Sequence, residues 1–239
     1  MMKWRQSGSH PERGPFAWLL ITQLVFIGAS PLLSYSSLGH WVRLLGFAAI
    51  VLAGIYAAAF RRGLLVIAIF LSLPAVFAWL GPDFFTGSVD EVSRLLTAAA
   101  CYAFTAVVVI GAVAQHHHVT RETIVGGIDA YLLIGLVFML LHTAVAVADP
   151  SAYRLYGGPM VDDSSAGSVF DVTGTMIYFS FTTLTTLGYG DIVPQSSPAR
   201  LLTSAEAVIG QLYVAIFIAR LVSIQVTQRT LSRGPEAPS

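Results

Sequence analysis

Charge is what this sequence has least of: 11% of its 239 residues are Asp, Glu, Lys or Arg, against about 25% in an ordinary soluble domain. The thirteen basic and thirteen acidic residues cancel, so no basic field draws in nucleic acid. Cysteine is reduced to Cys101, inside an apolar run, which excludes a disulfide framework and a cysteine-held metal cluster. These shortages also argue against a disordered tail and most cytosolic enzymes. Hydrophobic residues make up 55% of the chain. Its solvent is lipid, and the fold class is an all-α membrane protein.

Crossing a hydrocarbon core of about 30 Å takes about 20 apolar residues in a helix. Six runs qualify: Phe16–Leu33, Trp41–Phe60, Leu64–Leu80, Val92–Ala114, Ile124–Ala148 and Leu201–Val226. Pro31 and Pro74 come late in the first and third runs, where a proline ends or kinks a helix. Small residues recur in the second, as at Gly46, Ala49, Ala53 and Ala57, and suit close packing in lipid.

The basic residues set the orientation. Lys3, Arg5, Arg13, Arg61, Arg62, Arg121, Arg220, Arg229 and Arg233 fall on one side of six spans, and Arg43, Arg94, Arg154 and Arg200 on the other with most acids. Both termini are therefore expected in the cytoplasm of a multi-pass cell (plasma or inner) membrane protein. A signal peptide is the alternative for the first run, but removing it would spoil the charge alternation.

Hydropathy becomes irregular between the fifth and sixth runs. Residues 149–167 are rich in Asp, Ser, Gly and Pro and read as a solvated loop. Val172–Thr185 is apolar yet too short to cross, which predicts a re-entrant helix buried against protein. Directly after it comes Thr185-Thr186-Leu187-Gly188-Tyr189-Gly190-Asp191.

This arrangement resembles the potassium channel family, whose signature T-V-G-Y-G is matched with Leu187 in place of Val. A specified five-residue string arises by chance in about one chain in ten thousand of this length, and spanning helix, re-entrant helix, motif and spanning helix occur here in the expected order. The alternative is a Gly-rich turn between two helices. The resemblance implies a selectivity filter in which Thr186, Leu187, Gly188 and Tyr189 donate backbone carbonyls to potassium ions. Gly188 and Gly190 tolerate the left-handed backbone that aligned carbonyls require. One chain carries one loop, so the resemblance implies a homotetramer in membrane lipid. Potassium is then the permeant ion, with no cofactor and no catalytic residue.

By the same resemblance Tyr189 packs against the pore helix and Asp191 caps the outer mouth. Several relatives tie that aspartate to a tryptophan and a carboxylate; Phe179 and Thr182 stand at those positions, so the clamp is expected to be missing. Glu206 is the one carboxylate inside the sixth run, about 7.5 Å past its start. An intramembrane acid seldom faces lipid, so Glu206 is expected to bond hydroxyls such as those of Thr182, Thr183 or Thr185, either as plain structure or as a tuner of the filter. Gly210 is a hinge or a packing notch. Helical spacing from it predicts that Val214 and Ile218 line a cavity, and Ala219, Val222 and Val226 an apolar inner mouth.

From Leu95 to Ala114 there is no basic residue, so the fourth run lacks the charge ladder a voltage sensor needs. Residues 16–120 therefore read as a four-helix scaffold or ligand-sensing bundle, after a cytoplasmic segment 1–15. The pore domain is 121–227, and 228–239 is a short tail, too brief to predict a regulatory domain. His116, His117 and His118 fall on the link between the fourth and fifth runs; they are either solvated polar residues or a proton sensor. The expected function is voltage-independent, potassium-selective conduction. A non-conducting receptor or channel subunit and a weakly selective cation channel are the rivals.

Overall fold

The computed structural model describes residues 15–32, 45–52, 66, 88–115, 118–155, 158–159 and 169–232. Their elements are α1 (Pro15–Leu32), α2 (Ser88–Gln115), α3 (Arg121–Ala148), β1 (Tyr153–Leu155), β2 (Gly158–Pro159), α4 (Val169–Leu184), β3 (Ile192–Pro194) and α5 (Ser197–Ser232). Residues 45–52 are also helical. Most of the second and third expected spans lies outside the described residues, as do His116 and His117.

Among the described residues, three helices are long and apolar enough to cross a membrane: Val89–Gln115, Arg121–Ala148 and Ser197–Gln228, with Phe16–Ser30 a shorter apolar helix. The chain is an integral membrane protein. Local chemistry explains the helix limits. Thr120 and Thr123 form a reciprocal capping box at the start of α3, satisfying two backbone donors that the first turn leaves open. Ser196 Oγ accepts from the Ala199 N–H at the start of α5, where Pro198 sits in the first turn and sacrifices no ladder bond.

Helix α3 is central, touching α1, α2, α4 and α5. Leu133, Leu136 and Met139 are fully buried along it. Its glycines admit neighbours: a Cβ on Gly127 would fall 2.0 Å from the Phe217 ring of α5, and one on Gly135 would fall 2.9 Å from the Phe181 ring of α4. Gly46 similarly admits Phe26 of α1, and Phe47 stacks on Tyr102 of α2 at 5.9 Å, so residues 45–52 pack closely as their small residues suggest.

Residues 149–167 are not loop throughout. β1 pairs antiparallel with β2 and with β3, placing Arg154 opposite Val193 and Leu155 opposite Ile192. The Ala152 carbonyl accepts the Gln195 N–H at 2.8 Å, and Ala152 and Tyr153 are buried. This sheet ties the end of α3 to the segment that follows the glycine-rich motif. The helix expected to be re-entrant begins at Val169, three residues before the expected start, and ends at Leu184.

Candidate functional site

The Thr185–Asp191 segment is built on the C-terminal end of α4. Thr185 Oγ1 donates to Phe181 O and Thr182 Oγ1 to Phe179 O, so both hydroxyls close the last turn of their own helix. The next three N–H groups turn back onto it: Thr186 N–H reaches Thr183 O at 2.9 Å, Leu187 N–H reaches Thr182 O at 2.8 Å, and Gly188 N–H reaches the same oxygen at 3.1 Å. Each peptide bond here is trans and planar. The carbonyls of Thr185, Thr186 and Leu187 therefore point away from α4.

Positive φ recurs at every second residue: Thr186 at 58°, Gly188 at 52° and Gly190 at 80°. The glycines are the expected ones. Thr186 is not, because a side chain at left-handed φ costs about 1–2 kcal/mol. Two bonds hold it there: its own hydroxyl donates to Thr185 O at 2.7 Å, and the Gln211 amide of α5 donates to Thr186 Oγ1 at 3.2 Å.

The far side of the segment is clamped by Tyr178, which no motif in the sequence marks. Tyr178 donates its hydroxyl to Asp191 at 2.8 Å, and its ring stacks nearly parallel on Tyr189 at 6.4 Å. Asp191 also accepts the Ile192 N–H. The clamp expected to be missing is thus replaced, one position before Phe179. Tyr189 meets α4 as expected, but through its ring face, and 68% of it is exposed within one chain.

A sequence profile for a family described as ion channel matches residues 129–226, the span that contains this whole arrangement. Over 92 residues the chain is 28% identical to two-pore potassium channel 4 of Arabidopsis thaliana, covering 38% of this chain and 30% of that protein. Over 53 residues it is 36% identical to two pore potassium channel a of Oryza sativa subsp. japonica, covering 22% and 15%. This segment is similar to the ion channel family and to the potassium channels among its relatives. The chain therefore carries an ion-channel-like segment. It spans less than a third of the length of these relatives.

Within the matched segment Glu206 meets a hydroxyl of α4 as expected, but not one of the three named. Its carboxyl is wholly buried and meets Ser180 at 2.5 Å and His142 at 2.9 Å, not Thr182, Thr183 or Thr185. Ser180 lies one turn nearer the middle of α4, which is the level that α5 reaches at Glu206. His142 and Tyr153 complete the cluster. Neither stood out in sequence, since a lone His in an apolar run and a Tyr in a polar loop carry no spacing signal. Tyr131 of α3 was equally silent, and donates to Leu184 O at 3.3 Å.

Gly210 faces the end of α4: a Cβ there would fall 2.5 Å from the Leu184 carbonyl oxygen, which favours the packing notch. Below it Val214, Ile218, Ala219, Val222 and Val226 are exposed within one chain. His118 Nδ1 meets the Gln228 amide of α5 at 2.8 Å. The Arg220 guanidinium donates to Ala114 O at the end of α2.

Proposed function

We propose that four copies of this chain surround one axis and form a potassium-selective pore that conducts passively and answers weakly to voltage. The observation that carries this reading is the run of three N–H groups turned onto α4, which directs the carbonyls of Thr186 and Leu187 to the opposite side. Rings of such oxygens, from Thr186, Leu187, Gly188 and Tyr189 with Gly190 ending the run, replace the hydration shell of a potassium ion. The negative end of the α4 dipole lies beside the inner end of these rings and favours a cation. Thr182, Thr185, Asp191 and Glu206 support the strand, and no cofactor is needed.

Assembly is supported by α5. Only 6% of its apolar stretch is buried within one chain, against 50% for α2 and 56% for α3. In a tetramer that surface meets neighbouring copies and, at Val214, Ile218, Ala219, Val222 and Val226, a cavity and inner mouth. Six spans, with both termini cytoplasmic in a plasma or inner membrane, follow from the charge alternation. Residues 16–120 form the four-helix domain and 121–227 the pore domain, flanked by cytoplasmic segments 1–15 and 228–239.

Flux into liposomes carrying the purified protein tests the reading. Potassium and rubidium should enter, and Gly188→Ala should stop them. Nothing lies within 4 Å of the added Cβ, so the loss comes from backbone strain at φ 52°. A folded wild-type protein that passes no potassium, or normal flux in Gly188→Ala, would overturn it.

A further inference from the structure

Behind the filter segment a chain of polar groups crosses the packed helices without reaching water. The Tyr153 hydroxyl of β1 meets His142 Nδ1 at 2.6 Å. His142 Nε2 meets Glu206 Oε2 at 2.9 Å. Glu206 Oε1 meets Ser180 Oγ at 2.5 Å, and Ser180 Oγ meets the Gly135 carbonyl at 2.7 Å. All five residues are buried, with His142, Ser180 and Glu206 at 0% exposure. Four contacts in series require four protons.

The direction of the chain follows from its far end. A carbonyl only accepts, so the Ser180 proton goes to Gly135. The same hydroxyl then has no proton for Glu206, and the carboxyl itself must donate across the 2.5 Å contact. Its other oxygen accepts from His142 Nε2–H, and the bare Nδ1 accepts from Tyr153. Tyr153 can serve as that donor, since burial pushes its phenol well above the usual range.

The alternatives each leave a gap. An ionised Glu206 beside a neutral histidine has three protons for four contacts, and Ser180 must abandon Gly135. An ion pair turns His142 Nδ1–H onto Tyr153, whose own proton then needs another acceptor among the rings of Phe138 and Phe179. An unmade buried bond costs about 1–3 kcal/mol.

We propose that Glu206 holds a proton and that this neutral chain is a brace, joining α3, α5, β1 and α4, whose completeness keeps the filter strand in its conducting position. The second half of the statement rests on the channel reading above. Ser180 lies two residues before Thr182, whose carbonyl anchors Leu187 and Gly188, so a change at Ser180 is passed to the filter within one turn. Glu206 and Ser180 are positioning residues and touch no ion. His142 Nε2 is the nitrogen that meets the Glu206 carboxyl, at 2.9 Å. The ionisable groups close enough to feel its charge are His142 and Tyr131 on α3 and Tyr153 on β1; α4 offers the Ser180 hydroxyl.

Two measurements on the full-length protein decide it. Potassium flux in liposomes, with pH equal on both sides, should fall at least tenfold per unit once Glu206 loses its proton, because one pH unit shifts each of the four one-proton equilibria tenfold. Glu206→Gln, whose amide donates to Ser180 and whose carbonyl accepts from His142, should give a flux that no longer changes with alkaline pH, whatever its level. Infrared spectra at neutral pH should contain a protonated-carboxyl stretch that this substitution removes, with Asp129→Asn identifying any band from the buried Asp129. A wild-type flux insensitive to alkaline pH, a Glu206→Gln variant that titrates like wild type, or a neutral-pH spectrum unchanged by the substitution overturns the brace. If no potassium passes at any pH, the channel reading fails, and the infrared result still decides the proton.

Discussion

A Cβ on Gly210 would strike the backbone carbonyl of Leu184 at 2.5 Å and the Leu184 side chain at 2.8 Å. Backbone at the end of a capped helix does not step aside cheaply, and overpacking of this kind costs about 1–3 kcal/mol. Gly210→Ala should therefore lower thermal stability in detergent and weaken flux together. A hinge role alone predicts unchanged stability with altered opening, so a normal melting temperature in this variant contradicts the packing account. The residue scale is also where sequence was least informative. The burial of Glu206 was legible from its place in an apolar run, yet its partners were not, because Ser180 and His142 come from two other helices whose rotation no spacing reveals. Thr186 was legible as part of the glycine-rich motif, but its left-handed backbone was not: that geometry is held by three N–H groups reaching α4 and by Gln211, 25 residues away. Tyr178 was overlooked because a ring one position along a helix points about 100° elsewhere.

The order and approximate extent of the described helices were legible, since hydrophobic length is a strong signal in lipid. The exceptions are instructive. Tyr153-Arg154-Leu155 alternates apolar and charged, a strand cue hidden within a stretch dominated by Gly, Ser and Asp, and its partner β3 lies beyond the whole pore helix. Helix α5 runs to Ser232, past the predicted end at Val226, because polar residues continue a helix outside the apolar layer. Helix α2 carries its one cation, Arg94, at the N-terminal end, paired with Asp90 at 2.5 Å. Twenty residues without a basic side chain follow, from Leu95 to Ala114. Each elementary charge crossing the field gains about 2.3 kcal/mol per 100 mV, and α2 offers no such charge to move. Open probability in symmetric potassium should therefore change little between strongly negative and strongly positive potentials. A sigmoidal curve equivalent to several gating charges per tetramer would contradict this.

One chain leaves α5 largely bare and residues 185–190 exposed, with Leu187 at 56%. Exposed carbonyls on a single strand cannot surround an ion, whereas four strands can, so selectivity and assembly stand or fall together. The most direct measurement is the reversal potential of currents through purified protein in planar bilayers, with potassium on one side and sodium on the other, alongside the native mass of the same preparation. The account predicts a tetramer whose reversal potential lies far toward the potassium equilibrium value, as expected for rings of carbonyls at Thr186–Tyr189. A monomeric or dimeric protein, or a tetramer reversing near zero because sodium passes as readily as potassium, would contradict it.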